Sequence, residues 1–284
     1  MTSGKALGRL QNLGTLLVSG PDARSYLQGQ LSFDMDGLTP GRLELASCNS
    51  AQGRVQAVIW LVERSEGVVL LLPASMVEPT LQRLKKYVLR AKLALHANPA
   101  DLQVFAGAPQ HLMQRSHAAN EGISTIAWPG EPGRVLLLAP HDRFGELPAQ
   151  DAAWHRADVH AGLPQVYAPT HEAFVAQMLN LDLLGGINFE KGCYTGQEII
   201  ARTHFRGTVK RRMLAFRAEC PPPSPGARVL SGTQHAGDVV DAAATPDGCE
   251  LLAVISLAQR DEALALESGP ALVPLTLPYT IPES

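Results

Sequence analysis

Short apolar runs, each bounded by turn-forming residues, are the feature that most limits how this chain can fold. The runs at residues 43–48 and 54–63 have strand length, and the loop between them ends in Gly53, as a hairpin loop often does. Runs at residues 15–19 and 68–72 have the same character. The first part of the chain is therefore predicted to form a hairpin-rich sheet.

Helical patterns lie between these runs. Pro21 and Asp22 have the form of a helix start, and Ser75 and Glu78 have the spacing of a capping box, which predicts a helix to about residue 88. The remaining predictions are helices at 110–120 and 149–161 and strands at 92–95, 102–105 and 134–139. Because helices alternate with hairpins, we expect an α+β fold rather than a doubly wound parallel sheet.

A proline-rich segment at residues 220–226 marks a change of character. It contains four prolines and ends in a glycine, so it cannot be helical and is typical of a linker or an entry loop. The runs that follow are short and strand-like, at residues 228–230, 236–240, 250–256 and 272–277. They predict a small β-barrel or sandwich from about residue 207 to the end.

Charge and composition exclude some classes of protein. The chain has 284 residues, is 45% hydrophobic, and carries 24 basic and 27 acidic side chains, for a formal charge of -3. This balance does not suit a protein that mainly coats nucleic acid or anionic lipid. No signal-peptide pattern and no apolar run of roughly 20 residues is found. We therefore expect a cytoplasmic protein with no membrane partner.

The cysteines are few and widely separated. Cys48, Cys193, Cys220 and Cys249 have no C-x-x-C spacing, which indicates neither a zinc site nor a disulfide framework. We expect free thiols, and we interpret Cys48, Cys220 and Cys249 as structural. Only Cys193 lies in a sequence context that points to chemistry.

That context is the segment at residues 191–198, Lys-Gly-Cys-Tyr-Thr-Gly-Gln-Glu. Thr195 and Glu198 have capping-box spacing, which predicts a helix N-terminus two residues after Cys193. Helix amides and the ammonium of Lys191 would favour a thiolate, which is the reactive form of cysteine. The two glycines allow a ligand to approach the backbone closely. A small side chain packed in a turn is the competing interpretation of Cys193.

The same eight residues match the signature octapeptide of the YgfZ family, and the chain resembles that family, whose members are related to the T-protein of the glycine cleavage system. Further, weaker matches lie at residues 18–23, 26–31, 158–164, 174–181 and 210–211. The resemblance extends over roughly the first three quarters of the chain.

The resemblance implies a fold of two interwoven α+β units of ferredoxin-like type around a central folate cavity, followed by a small C-terminal β-barrel. The folate-binding body is then expected at residues 1–206. Its two units are expected at 1–45 with 140–206 and at 46–139, and the barrel at 207–284.

The resemblance also implies a function: binding of tetrahydrofolate and support for the assembly or repair of iron-sulfur enzymes, including one that modifies tRNA. Folate and iron-sulfur enzymes, or their assembly factors, are the implied partners. Cys193 and Lys191 are the implied catalytic residues. The implied folate-binding residues are Trp154, Gln177, Asn180, Tyr194, Gln197 and Arg202.

Each of the pocket assignments has a structural alternative. The indole of Trp154 could stack on the pterin or benzoyl ring, or it could be a core aromatic of an amphipathic helix. The amides of Gln177 and Asn180 could read the pterin edge, or they could cap loops. His160 stands where T-proteins carry a pterin-reading glutamate, and an imidazole cannot accept two N–H groups as a carboxylate does.

Three other functions remain open. The first is one-carbon transfer by a folate-dependent aminomethyltransferase, but no Asp lies between Asp36 and Asp101, where T-proteins place their catalytic aspartate, and Glu78 is assigned to a capping box. The second is a thiol enzyme with Cys193 as nucleophile and His204 as base. The third is an RNA-binding module that uses the basic residues Arg202, His204, Arg206, Lys210, Arg211 and Arg212.

Overall fold

The structure is a computed structural model that describes residues 7–107 and 122–282. The helix predicted at 110–120 lies outside these residues. The described strands form three sheets in which all neighbouring strands pair antiparallel, and helices pack beside them. The mixed α and β composition predicted from the sequence is confirmed.

The first sheet has five strands in the order β3-β4-β5-β2-β6. Its members are β2 (Leu13–Ser19), β3 (Leu43–Asn49), β4 (Val55–Arg64), β5 (Gly67–Pro73) and β6 (Ala94–Ala97). The predicted hairpin between β3 and β4 is present, and its register places Ala46 opposite Ile59. Helices α1 (Ala23–Gln30) and α2 (Ala74–Lys85) belong to the same part of the chain.

The second sheet has four strands in the order β1-β7-β9-β8. They are β1 (Gly8–Arg9), β7 (Gln103–Gly107), β8 (Ser124–Ala127) and β9 (Val135–Ala139). Helix α3 (Asp151–His160) follows, and helix α4 (Gln197–Arg206) comes after a long stretch of turns and short 3-10 segments. Strand β2 pairs with β5 across the two predicted α+β units, whose boundaries stay a prediction.

The third sheet is a six-stranded half-barrel in the order β14-β11-β12-β13-β10-β15. Its strands are β10 (Arg211–Ala218), β11 (Arg228–Ser231), β12 (Gln234–Thr245), β13 (Gly248–Ser256), β14 (Leu264–Leu266) and β15 (Val273–Leu275). The four strands predicted after the proline-rich segment are confirmed. One buried cluster contains Val58, Leu136 and Leu252 from the three different sheets, so the sheets share a core.

Both predicted capping boxes are wrong. Strand β5 runs directly into α2 with Pro73 at the N-cap, so Ser75 already lies inside the helix, and Glu78 accepts a hydrogen bond from Gln82 instead. Helix α4 begins after Gly196, whose left-handed φ of 83° sets its start with no side-chain cap.

No helix in the described ranges is both long and apolar enough to cross a membrane.

Candidate functional site

A cavity of about 460 Å³ lies where α3, the five-stranded sheet and the half-barrel meet. Pockets of a few hundred Å³ are the usual size for small-molecule sites. Helix α3 provides one wall, because its residues at positions 151, 154, 155 and 158 repeat with helical spacing and face the same side. Asp151 fixes this helix in place, since its Oδ1 accepts hydrogen bonds from the backbone N–H groups of Gln11 and Asn12, both at 2.7 Å.

Trp154 is the aromatic surface of the cavity. Its side chain is buried, and the guanidinium carbon of Arg134 lies 4.0 Å from the ring centroid on a cation–π contact. The ring of Trp128 packs 5.4 Å away. The indole Nε1 of Trp154 has no hydrogen-bond partner among the described residues. Because buried polar groups are nearly always paired, this N–H is a donor suited to a ligand.

Arg134 and Asp158 form a buried ion pair next to Trp154. Asp158 Oδ1 lies 2.9 Å from Arg134 Nη2 and accepts a hydrogen bond from Trp128 Nε1 at 2.8 Å. Burial raises the pKa of Asp158, while the charge of Arg134 and the hydrogen bond from Trp128 oppose that rise. Asp158 lines the cavity and gives this wall a carboxyl group.

The half-barrel contributes a second polar group, centred on Asp241 of β12. Its Oδ1 lies 2.9 Å from His155 Nε2, and its Oδ2 accepts a hydrogen bond from the Tyr167 hydroxyl at 3.0 Å. Burial opposes the charged form of His155, but the hydrogen bond and charge of Asp241 outweigh burial and raise the pKa of His155. Burial and the same carboxylate raise the pKa of Tyr167, so its hydroxyl stays a donor.

Gln165 completes the polar lining. Its Oε1 is buried and, in the described part of the chain, accepts no hydrogen bond. The cavity therefore presents an unpaired donor on Trp154, an unpaired acceptor on Gln165, an aromatic surface and the carboxyl groups of Asp158 and Asp241. This set can hold a flat heteroaromatic molecule that has N–H donors and acceptors at its edge.

The signature loop at residues 191–198 lies elsewhere. None of its residues lines the cavity, and Cys193 is exposed at the surface, so the catalytic role that the resemblance implies for Cys193 stays a prediction. The loop is held against the β3–β4 hairpin. A Cβ on Gly196 would lie 2.5 Å from the carbonyl oxygen of Ser50, and a Cβ on Gly53 would lie 2.8 Å from Cβ of Ile199. Both positions require glycine for this close approach.

Lys191 has a structural contact that the sequence did not predict. Its Nζ donates hydrogen bonds to the backbone carbonyls of Gln28 (2.8 Å), Leu31 (2.8 Å) and Phe33 (2.6 Å) at the end of α1. The ammonium also lies 5.1 Å from the ring centroid of Tyr194. Burial lowers the pKa of Lys191 to about 8. Its three N–H bonds are thus used to join α1 to the signature loop, and its assigned role beside Cys193 stays a prediction.

Five of the six residues assigned to folate binding lie outside the cavity lining. Gln177 and Asn180 are fully buried, and their amide N–H groups donate to the backbone carbonyls of Ile200 and Met213 at 2.7 and 2.8 Å. Gln197 Nε2 donates to the carbonyl of Lys191 at 3.3 Å.

The other two of these five residues also have partners within the protein. Tyr194 is buried, and burial raises its pKa to about 12. Arg202 forms an exposed ion pair with Glu198 at 2.7 Å, one helical turn away. Only Trp154 of the assigned set reaches the cavity.

The remaining polar candidates are also placed by the structure. His160 is exposed, with Nδ1 2.9 Å from Glu250 Oε2, and it does not line the cavity. The ring of His204 stacks on Phe189 with centroids 3.8 Å apart. In the basic run, Arg211 and Arg212 are paired with carboxylates, Arg212 to Asp182 at 2.6 Å. These pairings leave less free positive charge than the sequence indicated.

The sequence reasoning missed His155, Asp158, Gln165, Tyr167 and Asp241. The first two had a detectable signal, because they lie one and four residues after Trp154 on the same helix. Tyr167 and Asp241 are 74 residues apart and meet only in the folded chain.

No protein-family model matches the chain. Among solved structures, it is similar to the glycine cleavage system aminomethyltransferase T from Bartonella henselae, with a TM-score of 0.75 over 97% of this chain and 87% of that chain. The two sequences are 17% identical, so this likeness shows the fold: the protein has the architecture of the aminomethyltransferase T class.

Sequence relatives define the family more closely. The chain is 32% identical over 234 residues to the tRNA-modifying protein YgfZ of Edwardsiella ictaluri, covering 74% of this chain and 70% of that protein. It is 28% identical to the protein of the same name from Cronobacter sakazakii, covering 97% of this chain and 93% of that protein. The chain belongs to the YgfZ family.

Proposed function

We propose that this protein binds tetrahydrofolate in the 460 Å³ cavity and supports the assembly or repair of iron-sulfur enzymes, including one that modifies tRNA. The observation that carries the binding proposal is the wall formed by Trp154 and Gln165, with one unpaired donor and one unpaired acceptor. The name of the relatives, tRNA-modifying protein, supports the cellular part of the proposal.

The lining fits a reduced folate. The pyrimidine half of the reduced pterin is flat and carries N–H groups beside a ring nitrogen and a carbonyl, so it needs an aromatic surface, acceptors and a donor. Trp154 supplies the surface and the donor, and Gln165, Asp158 and Asp241 supply acceptors. Bound tetrahydrofolate would supply a carrier for one-carbon groups. The protein's own residues hold and orient it and keep its ring away from water.

The same cavity argues against a one-carbon transferase. The end of β5 and the start of α2, where T-proteins place the catalytic aspartate, contribute Pro73, Ala74 and Ser75 to the lining. None of the three is a carboxylate. Glu78 is exposed and accepts a hydrogen bond from Gln82 at 2.6 Å, which commits it to the surface of α2. We therefore favour binding without transfer.

Cys193 is the proposed contact with client proteins. Its exposure in a loop that Gly196 and Lys191 fix in place presents a thiol to a large partner, such as an iron-sulfur enzyme or its assembly factor. In cells, Cys193→Ala is expected to abolish activity while the fold stays intact, because an exposed side chain contributes little packing. A protein that unfolds on this change would show a structural cysteine instead.

RNA is the less favoured partner. Arg202, Arg211 and Arg212 form ion pairs within the protein, which leaves less positive charge for phosphate groups. RNA affinity that falls steeply with salt would contradict this preference, since phosphate contacts release counterions.

Calorimetric titration with tetrahydrofolate tests the cavity. We expect wild type to bind and Trp154→Phe, which keeps an aromatic ring but removes the Nε1 donor, to bind about tenfold more weakly. Trp60→Phe is the matched control, because Trp60 also has a buried Nε1 with no described partner but lines a different pocket. Its affinity should equal that of wild type. Absence of wild-type binding refutes the proposal, and equal affinity of all three proteins places the ligand outside this cavity.

A further inference from the structure

Two cysteines that are 29 residues apart in sequence meet at one end of the half-barrel. Cys249 lies in β13 opposite Ala218, the last residue of β10. The chain bends at Glu219 and Cys220, just beyond that strand. The bend brings Sγ of Cys220 to 4.0 Å from Sγ of Cys249, which is van der Waals contact between the two sulfur atoms.

The two thiols differ in access to solvent. Cys249 is 1% exposed and packs in the core of the half-barrel with Phe216 and Ala218. Cys220 is partly exposed and lines an open surface depression together with Pro221 and Asp247. Burial, followed by the neighbouring Cys220, raises the pKa of Cys249 to about 11. A dissolved oxidant therefore meets Cys220 first, and Cys249 lies directly behind it.

We propose that Cys220 and Cys249 form a reversible intramolecular disulfide when the protein is oxidised by hydrogen peroxide. The Cys220 thiolate attacks one peroxide oxygen, the O–O bond breaks, and a sulfenic acid forms on Cys220 while the leaving hydroxide takes up the proton that Cys220 had released and becomes the first water. Cys249 sulfur then attacks Cys220 sulfur, the S–O bond breaks, and the leaving hydroxide takes the proton of Cys249 and becomes the second water. Two thiols lose two protons and two electrons, and one peroxide becomes two waters.

The position of Cys220 just beyond a strand end favours closure of the bond. A disulfide requires the sulfur atoms to approach to about 2 Å, with Cβ atoms about 4 Å apart. Cys220 lies beyond the end of β10, so its side chain can turn toward Cys249 without breaking a strand hydrogen bond. The resulting crosslink encloses β11 and β12 and ties the start of the proline-rich segment to β13. A crosslink of this kind restricts the unfolded chain and raises the Tm.

The sequence allows a direct test, because trypsin places each cysteine in a separate peptide. Cleavage after Lys and Arg gives residues 43–54, 192–202, 218–228 and 229–260, with one cysteine in each. The reduced full chain is treated with hydrogen peroxide, remaining thiols are alkylated, and the digest is analysed without reductant. We expect peptide 218–228 joined to 229–260, an intact mass lower by about 2 Da, and reversal by dithiothreitol.

Two variants separate this pair from other thiols. Cys193→Ser removes the exposed thiol and should leave the 218–228 to 229–260 link and the oxidation-dependent rise in Tm unchanged. Cys220→Ser changes a partly exposed bend residue and should abolish both, with peptide 229–260 staying reduced. The proposal is overturned if wild type gives sulfinic acid on 218–228 without a link, if 218–228 links to 192–202, or if both peptides stay reduced while 192–202 is oxidised.

Discussion

Replacing Lys191 with methionine distinguishes two roles of its ammonium: holding the signature loop against α1, and activating the thiol of Cys193. The change keeps an unbranched side chain that is one atom shorter, and it removes three hydrogen bonds to the carbonyls of Gln28, Leu31 and Phe33, which lie 2.6 to 2.8 Å from Nζ. Burial lowers the pKa of Lys191 to about 8, so the group still carries its proton and three donors at pH 7. Hydrogen bonds from a charged donor contribute about 1.5–3 kcal/mol each and do not add fully. We expect the free energy of unfolding to fall by about 3–4 kcal/mol.

Urea unfolding followed by circular dichroism measures this loss, with Arg202→Met as the matched control. Arg202 lies in the following helix and has one exposed ion pair, to Glu198, so its replacement should change stability by less than about 0.5 kcal/mol. The rate of alkylation of Cys193 is the second measurement. A Lys191→Met protein of nearly wild-type stability, within about 1 kcal/mol, with strongly slowed alkylation of Cys193 would refute the structural role and support the chemical one.

Two further predictions concern the signature loop and the cavity. Gly196→Ala should destabilise the protein by about 2 kcal/mol or more, because φ is 83° and the new Cβ would lie 2.5 Å from the Ser50 carbonyl oxygen. Gly192→Ala is the control and should have little effect on stability, because a Cβ at Gly192 would meet nothing within 4 Å. Equal thermal stability of the two variants would contradict the argument. Asp241→Asn should lower the pKa of His155, as followed by NMR of the imidazole. In wild type, His155 binds its proton more tightly in the folded state than in the unfolded chain. The stability that the protonated His155–Asp241 pair contributes is therefore complete below about pH 6.5 and is lost as the pH rises through the folded-state pKa. An unchanged titration of His155 in the variant would exclude Asp241 as the source of its raised pKa.

Local patterns predicted the strands well because each depends on a few neighbouring residues. The β3–β4 hairpin and the strands of the half-barrel lie where apolar runs and turn residues indicated. The capping-box prediction at Ser75 and Glu78 failed because their spacing does not determine where the preceding strand ends. Strand β5 continues to Pro73, which moves the helix start ahead of the predicted cap.

The site was less predictable than the fold. Trp154 was found through the family resemblance, and its helical neighbours followed the same face. Asp241 and Tyr167 come from distant parts of the chain, and no local pattern joins them before folding. For Lys191, the sequence showed the charge and its position near Cys193. It did not show the backbone carbonyls that accept hydrogen bonds from the ammonium, because they lie about 160 residues earlier in the chain.

The separation of Cys193 from the cavity determines what can be bound at the same time. A small molecule held against Trp154 need not cover Cys193, which is exposed and does not line the cavity. If folate and a client bind where we propose, the two can therefore occupy the protein together as a ternary complex. Occupancy of one site then changes affinity at the other only through the protein between them. Any such coupling is reciprocal: the factor by which folate alters client affinity must equal the factor by which the client alters folate affinity.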